Sequence, residues 1–107
     1  MSSVAISDEC VVPLADLFRL LGDPTRLRIV LLCVDEKRAV GAIAESLGLS
    51  ASIVSHHLRL LRAARIVRAE RQSKQVFCVA ADRHISSILG ELLEHVAEPQ
   101  QGATEIE

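Results

Sequence analysis

Apolar residues recur every three or four positions over most of the chain between residues 13 and 98, which is the spacing of helices that pack on one face. The pattern predicts a first helix over residues 13–21. Asp23-Pro24 predicts the start of a second helix that reaches about Val34, because aspartate accepts a hydrogen bond at a helix N-cap and proline fits the first turn. Two helices are therefore expected to open the folded part of the chain.

Glycine and serine mark the ends of the next two helices. A third helix is predicted over residues 40–47, and Gly48 ends it because glycine adopts the left-handed C-cap conformation at little cost. Ser50 can cap a fourth helix that reaches about Ala64. The short link between these two helices predicts a helix–turn–helix motif.

The remaining segments predict a hairpin and a last helix. IVRAE and QVFCV are rich in β-forming residues and are separated by the polar RQSK, which indicates a short hairpin. The last helix begins near Asp82 and ends before Pro99. The order α-α-α-α-β-β-α predicts a mainly α fold with a small β-hairpin, a winged helix-turn-helix over residues 13–98, with tails at 1–12 and 99–107.

The distribution of charge along the chain limits the classes of partner that it can bind. Its 107 residues, half of them hydrophobic, are expected to form a single domain. Residues 54–75 carry +5, from six arginines and lysines against Glu70, which leaves −7 for the rest of a chain whose total is −2. Such a block predicts a surface that binds a polyanion, although a solvated charged face is the plainer alternative. Because the block spans the end of the fourth helix and the hairpin, where a winged helix meets DNA, DNA binding is favoured.

The fourth helix divides its residues between two faces. The face assigned to the core carries Ile53, Val54, Leu58 and Leu61. The opposite face carries the side chains expected to contact base edges or phosphates, which are Ser52, Ser55, His56 and Arg59. The hairpin side chains expected to contact phosphates are Arg68, Arg71, Gln72, Lys74 and Gln75. His57 adjoins the buried side and is assigned to packing.

The last helix, in DRHISSILGELLEHVAE, carries residues that zinc prefers as ligands. His84 and His95 flank the same side of its apolar stripe but lie about 16 Å apart at 1.5 Å per residue. A zinc ligand lies about 2 Å from the ion, so one helix cannot use both histidines for one metal. Each of these residues taken alone is more simply a surface polar group, and His95 could instead pair with Glu91.

Two copies of this helix, packed antiparallel, can bring the histidines together. In a two-fold antiparallel pair, residue 84 lies beside residue 95 of the partner when the helices cross at the midpoint of these positions, which is 89.5. Residue 82 lies beside residue 98 when the helices cross at position 90. Both midpoints fall at Gly90, where the missing side chain allows a close approach. The hypothesis is a homodimer with two equivalent sites for Zn(II), or for Co(II) as a close mimic, each formed by Asp82, His84, His95 and Glu98.

Three cysteines leave a second hypothesis open. Cys10, Cys33 and Cys78 are an odd number at unrelated spacings, which fits reduced thiols in a cytoplasmic protein better than a disulfide framework. No secretory signal and no apolar run of membrane-spanning length is found in the sequence, which also favours the cytoplasm. Any of the three thiols could instead sense oxidants or persulfide. A zinc hydrolase is a remote alternative, because catalytic zinc needs an open coordination position.

Three segments carry a resemblance to the ArsR/SmtB family of metal-sensing repressors. They are LLGDPTRLRIV, VGAIAESLGLSASIVSHHLRLLRAARIV and RQSKQVFCV, and the resemblance extends over residues 14–98. It implies a homodimeric winged-helix repressor that binds operator DNA of imperfect two-fold symmetry and is released by an inducer. In two places the sequence departs from the family, with Ser73 where the wing turn often has glycine and Phe77-Cys78 where an aromatic pair is common.

The resemblance also bears on the metal. The pattern D-x-H-x10-H-x2-E on the last helix is similar to the family's zinc site shared between subunits, and metal binding there would shift the dimer to a form that fits DNA poorly. Arg65 is similar in position to a residue that links such a site to the DNA-reading helices. Ala39 and Ala42 stand where the family's cysteine-rich site would need ligands, which argues against arsenic, lead or cadmium sensing through that site.

Overall fold

The computed structural model describes residues 6–99 and has the predicted order of helices and hairpin, with one additional short strand. The helices are α1 (Asp8–Leu21), α2 (Pro24–Cys33), α3 (Val40–Leu47), α4 (Ala51–Ala63) and α5 (Arg83–Ala97). The strands are β1 (Arg38–Ala39), β2 (Val67–Gln72) and β3 (Gln75–Ala80). The mainly α fold with a small hairpin is therefore confirmed.

The predicted helix ends are confirmed by their hydrogen bonds. The Asp23 carboxylate accepts from the Arg26 N–H at 3.0 Å at the start of α2, and the Ser50 hydroxyl accepts from the Ile53 N–H at 3.1 Å at the start of α4. Gly48 has φ = 66° and ends α3 in the left-handed conformation. These local signals fix a three-residue connection between α3 and α4 and so define the helix–turn–helix.

Helix α1 begins earlier than predicted. It starts at Asp8, with Asp8 and Glu9 in its first turn, where acidic side chains favour the positive end of the helix dipole. Pro13, where the sequence predicts the start of this helix, lies inside it. The prediction that residues 8–12 belong to a tail is therefore wrong, whereas the predicted tail segments at 1–5 and 100–107 lie outside the described residues.

The hairpin of β2 and β3 is the wing, and it belongs to a three-stranded antiparallel sheet with the strand order β1-β3-β2. Strands β2 and β3 pair from Val67 opposite Ala80 to Gln72 opposite Gln75. Ser73 has φ = 55°, so a serine takes the left-handed conformation in the turn. Strand β1 was not predicted, because two residues are too few to show an alternating pattern and it forms only by pairing with the free edge of β3.

The core lies between α2, α3, α4 and the sheet. Its fully buried side chains are Ile29, Val30, Cys33, Ile43, Val54, Leu61, Ile66 and Cys78. The assignment of Ile53 to the core is wrong, since 47% of its surface is exposed. The buried stripe of α4 is narrower than predicted and runs through Val54, Leu58 and Leu61.

Helix α5 is held to the core by its N-terminal half. The Ser86 hydroxyl donates to the Val34 carbonyl oxygen at 2.9 Å, and Leu89 is the buried residue of the helix. The apolar stripe beyond it is exposed at Ile88, Leu92, Leu93 and Val96. Leu92, Leu93 and Val96 of this stripe line an apolar groove together with Phe18 and Leu21 of α1 and Leu31 of α2. Within residues 6–99, no helix is long and apolar enough to cross a membrane.

Candidate DNA interface and metal-ligating helix

The polar face of α4 is open to solvent. Ser52, Ser55, His56 and Arg59 are all exposed and follow the helical spacing of one face. Their hydroxyl, imidazole and guanidinium groups are hydrogen-bonding groups suited to base edges and phosphates. The half-buried His57 differs from them, since its Nδ1 is buried and has no hydrogen-bond partner among the described residues.

The wing extends this face. Ser55 and Arg59 of α4 line an open groove together with Lys74 and Gln75 of the wing. The other predicted phosphate contacts, Arg68, Arg71 and Gln72, are also exposed. The structure therefore brings two predicted DNA-contacting residues of α4 and two of the wing into one groove, and the other five predicted residues are exposed.

One acidic residue of the wing is already paired. The Glu70 carboxylate lies 3.4 Å from Arg68 Nη1 and 3.7 Å from Lys37 Nζ. Lys37 Nζ also lies 5.3 Å from the centroid of the Phe77 ring. Sequence reasoning missed Lys37, which lies outside the basic block and reaches the wing only through the sheet. The pairing leaves the surrounding surface positively charged.

A second groove joins the end of α4 to the start of α5. It is lined by Arg59, Arg62, Arg65, Arg68, Asp82 and His84. Arg65 has φ = 60°, a left-handed conformation at the point where the chain leaves α4 for the wing. The residue assigned to coupling thus shares a groove with the first two predicted metal ligands.

The first pair of predicted ligands lies together at the N-terminus of α5. His84 Nδ1 is 3.6 Å from Asp82 Oδ1, and the same oxygen accepts the Ile85 N–H at 3.1 Å as the N-cap of the helix. The His84 side chain is 80% exposed and that of Asp82 is 55% exposed. Both groups can therefore reach an ion that lies outside their own chain, with the second carboxylate oxygen of Asp82 left for it.

The second pair lies at the other end of the same helix. His95 is in the last turn of α5 and Glu98 is its C-cap residue, and both are exposed. Within residues 6–99, no group of three or more histidine, cysteine, aspartate or glutamate side chains is placed to hold a metal ion. One chain therefore brings together Asp82 with His84 but does not bring them to His95 and Glu98.

The cysteines occupy two different environments. Cys10 is exposed on α1, whereas Cys33 and Cys78 are buried in the core, as expected for small apolar side chains. Their Sγ atoms lie 2.8 Å apart. Sequence reasoning missed this contact, because 45 residues separate the two positions and no spacing rule predicts it.

A helix–turn–helix with an exposed polar helix, followed by a basic wing, defines a winged-helix DNA-binding protein. The sequence model of the bacterial regulatory proteins of the arsR family matches residues 23–69. The regulator CmtR of Mycobacterium tuberculosis is 43% identical over 83 residues, which cover 78% of this chain and 70% of that protein. The chain therefore belongs to the ArsR family of bacterial transcriptional regulators, whose winged-helix members bind operator DNA as homodimers.

Two further comparisons support the assignment. A Synechocystis homologue of the transcriptional repressor SmtB is 34% identical over 85 residues, and the matched region spans 79% of this chain but only 64% of that protein. The solution structure of the cadmium metal-sensor CMTR from M. tuberculosis superposes with a TM-score of 0.65 at 40% identity, covering 81% of this chain and 91% of that one. These relatives are transcriptional regulators, which favours a regulatory role over the zinc hydrolase hypothesis.

Proposed function

We propose that the protein is a cytoplasmic metal-responsive repressor. The metal-free homodimer binds operator DNA of imperfect two-fold symmetry through α4 and the wing, and it is released when Zn(II) or Co(II) binds between the α5 helices. The observation that carries this proposal is the separation of two exposed ligand pairs, Asp82 with His84 and His95 with Glu98, at the two ends of one helix.

The exposed stripe of α5 supports the homodimer. Apolar side chains at Ile88, Leu92, Leu93 and Val96 lie next to the apolar groove between α1 and α5. Burial of such a stripe against a second copy removes apolar surface from water, at roughly 25 cal/mol per Å². An antiparallel pair of α5 helices crossing at Gly90 covers this stripe and brings the ligand pairs of the two chains together.

The donor atoms fit the proposed metal. Two imidazole nitrogens and two carboxylates form a closed set of four ligands, which is typical of a structural or regulatory zinc site. Asp82 is held by its N-cap hydrogen bond, so its free oxygen has a defined direction before the metal arrives. When bound, the ion supplies a positive charge that joins the two chains at both ends of the α5 pair.

The relatives support metal sensing but leave the choice of metal open. The relative from M. tuberculosis is described as a cadmium sensor, whereas the four ligands proposed here include no thiolate. Nitrogen and oxygen ligands favour zinc or cobalt, because soft thiolates select softer metals. We therefore propose zinc as the inducer, with cobalt as a substitute that binds at the same residues.

The groove between α4 and α5 provides the link to DNA. Asp82 and His84 line it together with Arg65 and with Arg59, which lies on the DNA-contacting face. A metal that fixes the first two side chains therefore acts next to the junction that orients α4 and the wing. By linkage, a metal that prefers the DNA-incompetent form weakens DNA binding, typically by about 5–150-fold.

Release from DNA tests this function. DNA bound by the metal-free protein is first selected from a random library, and its affinity is then measured by fluorescence anisotropy with and without zinc. Zinc should weaken binding by the native protein, whereas the His84→Ala variant should bind DNA normally and should not respond. Unchanged affinity of the native protein in saturating zinc would contradict the proposal.

A further inference from the structure

The Cys33 and Cys78 sulfur atoms form a contact that neither DNA nor metal binding requires. Cys33 is the last residue of α2, and Cys78 lies on the central strand β3, between its partners Arg38 and Ala69. Their Sγ atoms are 2.8 Å apart, closer than two sulfur atoms in simple van der Waals contact. The side chains are 0% and 1% exposed. The fold therefore places two free thiols against each other in the core.

The two thiols differ in acidity. The hydrogen bond from the Cys78 thiol lowers the pKa of Cys33, and the charge of the Arg38 guanidinium also lowers it, against the opposing effect of burial. The same hydrogen bond to Cys33, together with burial, raises the pKa of Cys78 well above its usual range. Cys33 is therefore the more acidic of the two thiols, and Cys78 lies where it can donate a hydrogen bond to the Cys33 sulfur. The thiolate is the nucleophilic form of cysteine.

We propose that Cys33 and Cys78 are an oxidation site at which a peroxide forms an intramolecular disulfide. The Cys33 thiolate attacks one peroxide oxygen and forms a sulfenic acid, while the O–O bond breaks and the departing oxygen takes a proton to leave as an alcohol or water. The Cys78 sulfur then attacks the sulfenic sulfur, and the displaced hydroxide leaves as water with the Cys78 proton. The two thiols are oxidised by two electrons, and the peroxide is reduced.

The short distance between the Cys33 and Cys78 sulfur atoms favours disulfide formation, whereas their burial slows the reaction with peroxide. A disulfide bond is about 2.05 Å long, so the sulfur atoms need only a small further approach. Because both are buried, the peroxide reaches them when the end of α2 opens locally, which makes the reaction slower than that of the exposed Cys10. This end of α2 is followed by an irregular segment over residues 34–37 and by a strand of only two residues.

The oxidation site is separate from the proposed metal ligands, because neither sulfur lies on α5. It is nevertheless next to the contact that holds this helix, since the Val34 carbonyl oxygen that follows Cys33 accepts the Ser86 hydroxyl. A disulfide at Cys33–Cys78 joins α2 covalently to the wing strand. Oxidation would therefore act on the wing, which is proposed to contact DNA, and next to α5, which carries the proposed metal ligands.

Peptide mapping tests the proposal. The native protein is treated with hydrogen peroxide, quenched with catalase, denatured and alkylated, and its peptides are identified by mass. We expect a peptide that links Cys33 to Cys78, a mass loss of two hydrogen atoms, and recovery of both thiols with dithiothreitol. The Cys10→Ala variant should give the same link, since the exposed thiol takes no part.

Matched variants separate this site from the metal site. In the Cys10→Ala background, Cys33→Ala and Cys78→Ala should each abolish the disulfide. The His84→Ala variant should form the disulfide to the same extent as the protein with His84. Two outcomes would overturn the proposal. In one, both buried thiols remain alkylatable after peroxide has fully oxidised Cys10. In the other, Cys33 is converted to sulfinic acid without any link to Cys78. Neither outcome bears on zinc release.

Discussion

At the residue scale, Asp82 caps a helix and is proposed to bind the metal, and these two roles can be separated by experiment. Its carboxylate accepts the Ile85 N–H as the N-cap of α5 and lies 3.6 Å from His84. Asparagine caps a helix nearly as well as aspartate but has no negative charge for a metal. The stability of α5 and its affinity for metal are therefore expected to respond differently to the same position.

The Asp82→Asn variant should keep the free energy of unfolding of the native protein and lose zinc affinity. The Asp82→Ala variant should lose both, with a decrease of about 1 kcal/mol in the free energy of unfolding from the missing cap. Urea denaturation and competition with a zinc-binding dye measure the two quantities. Equal zinc affinity in the native and Asp82→Asn proteins would remove this carboxylate from the ligand set.

The basic residues of the wing give a second prediction at this scale. Arg71 is exposed and is expected to contact a DNA phosphate. Arg71→Gln should weaken binding to all DNA sequences alike. It should reduce the slope of log affinity against log salt by about 2, because the homodimer carries two copies of Arg71 and about one counterion is released for each phosphate contact. Arg19, which pairs with Asp16 on α1, is the control, and Arg19→Gln should leave the salt slope unchanged. A native slope in the Arg71→Gln variant would exclude the phosphate contact.

At the element scale, local signals determine where most helices begin and end. Asp23, Ser50 and Gly48 fix the helix–turn–helix through hydrogen bonds and one left-handed residue, all within a few positions of each other. Such signals can be read from the sequence because they depend on neighbours in the chain. Strand β1 and the contact between Cys33 and Cys78 could not be predicted, because both arise from pairing of distant segments.

Gly48 tests this account of the turn. Gly48→Ala should lower the free energy of unfolding by about 1–2 kcal/mol, because an L-residue with a side chain is strained at φ = 66°. Gly41, in α3, has no atom within 4 Å of an added Cβ and no positive φ, so Gly41→Ala should be neutral or slightly stabilising. Urea unfolding measures both. Equal effects of the two substitutions would show that the left-handed turn does not limit stability.

At the scale of the whole molecule, α5 is incomplete in a single chain. Its buried contacts hold the N-terminal half, while the apolar stripe and the second predicted ligand pair are exposed. The sequence predicts this arrangement by the spacing of its ligands, but only the fold shows that the groove beside the stripe is apolar. The proposed dimer is the assembly that uses both features.

A charge in the apolar stripe should separate the chains. Leu93 is 52% exposed, so Leu93→Glu should leave the fold of each chain intact while it introduces like charges at the proposed interface. Sedimentation should show a monomer for this variant and a dimer for the native protein. Ile53, 47% exposed on α4, is the matched control, and Ile53→Glu should remain dimeric. A dimeric Leu93→Glu variant would place the interface elsewhere.

The central claim is that each metal site is shared by two chains, and exchange of subunits tests it directly. His84→Ala and His95→Ala homodimers should each fail to bind zinc, because each lacks one histidine at both sites. After the two variants are mixed and exchange subunits, isothermal titration should show one zinc site per heterodimer, formed by His84 of one chain and His95 of the other. Zinc binding in the mixture that stays at the level of the separate variants would contradict the account.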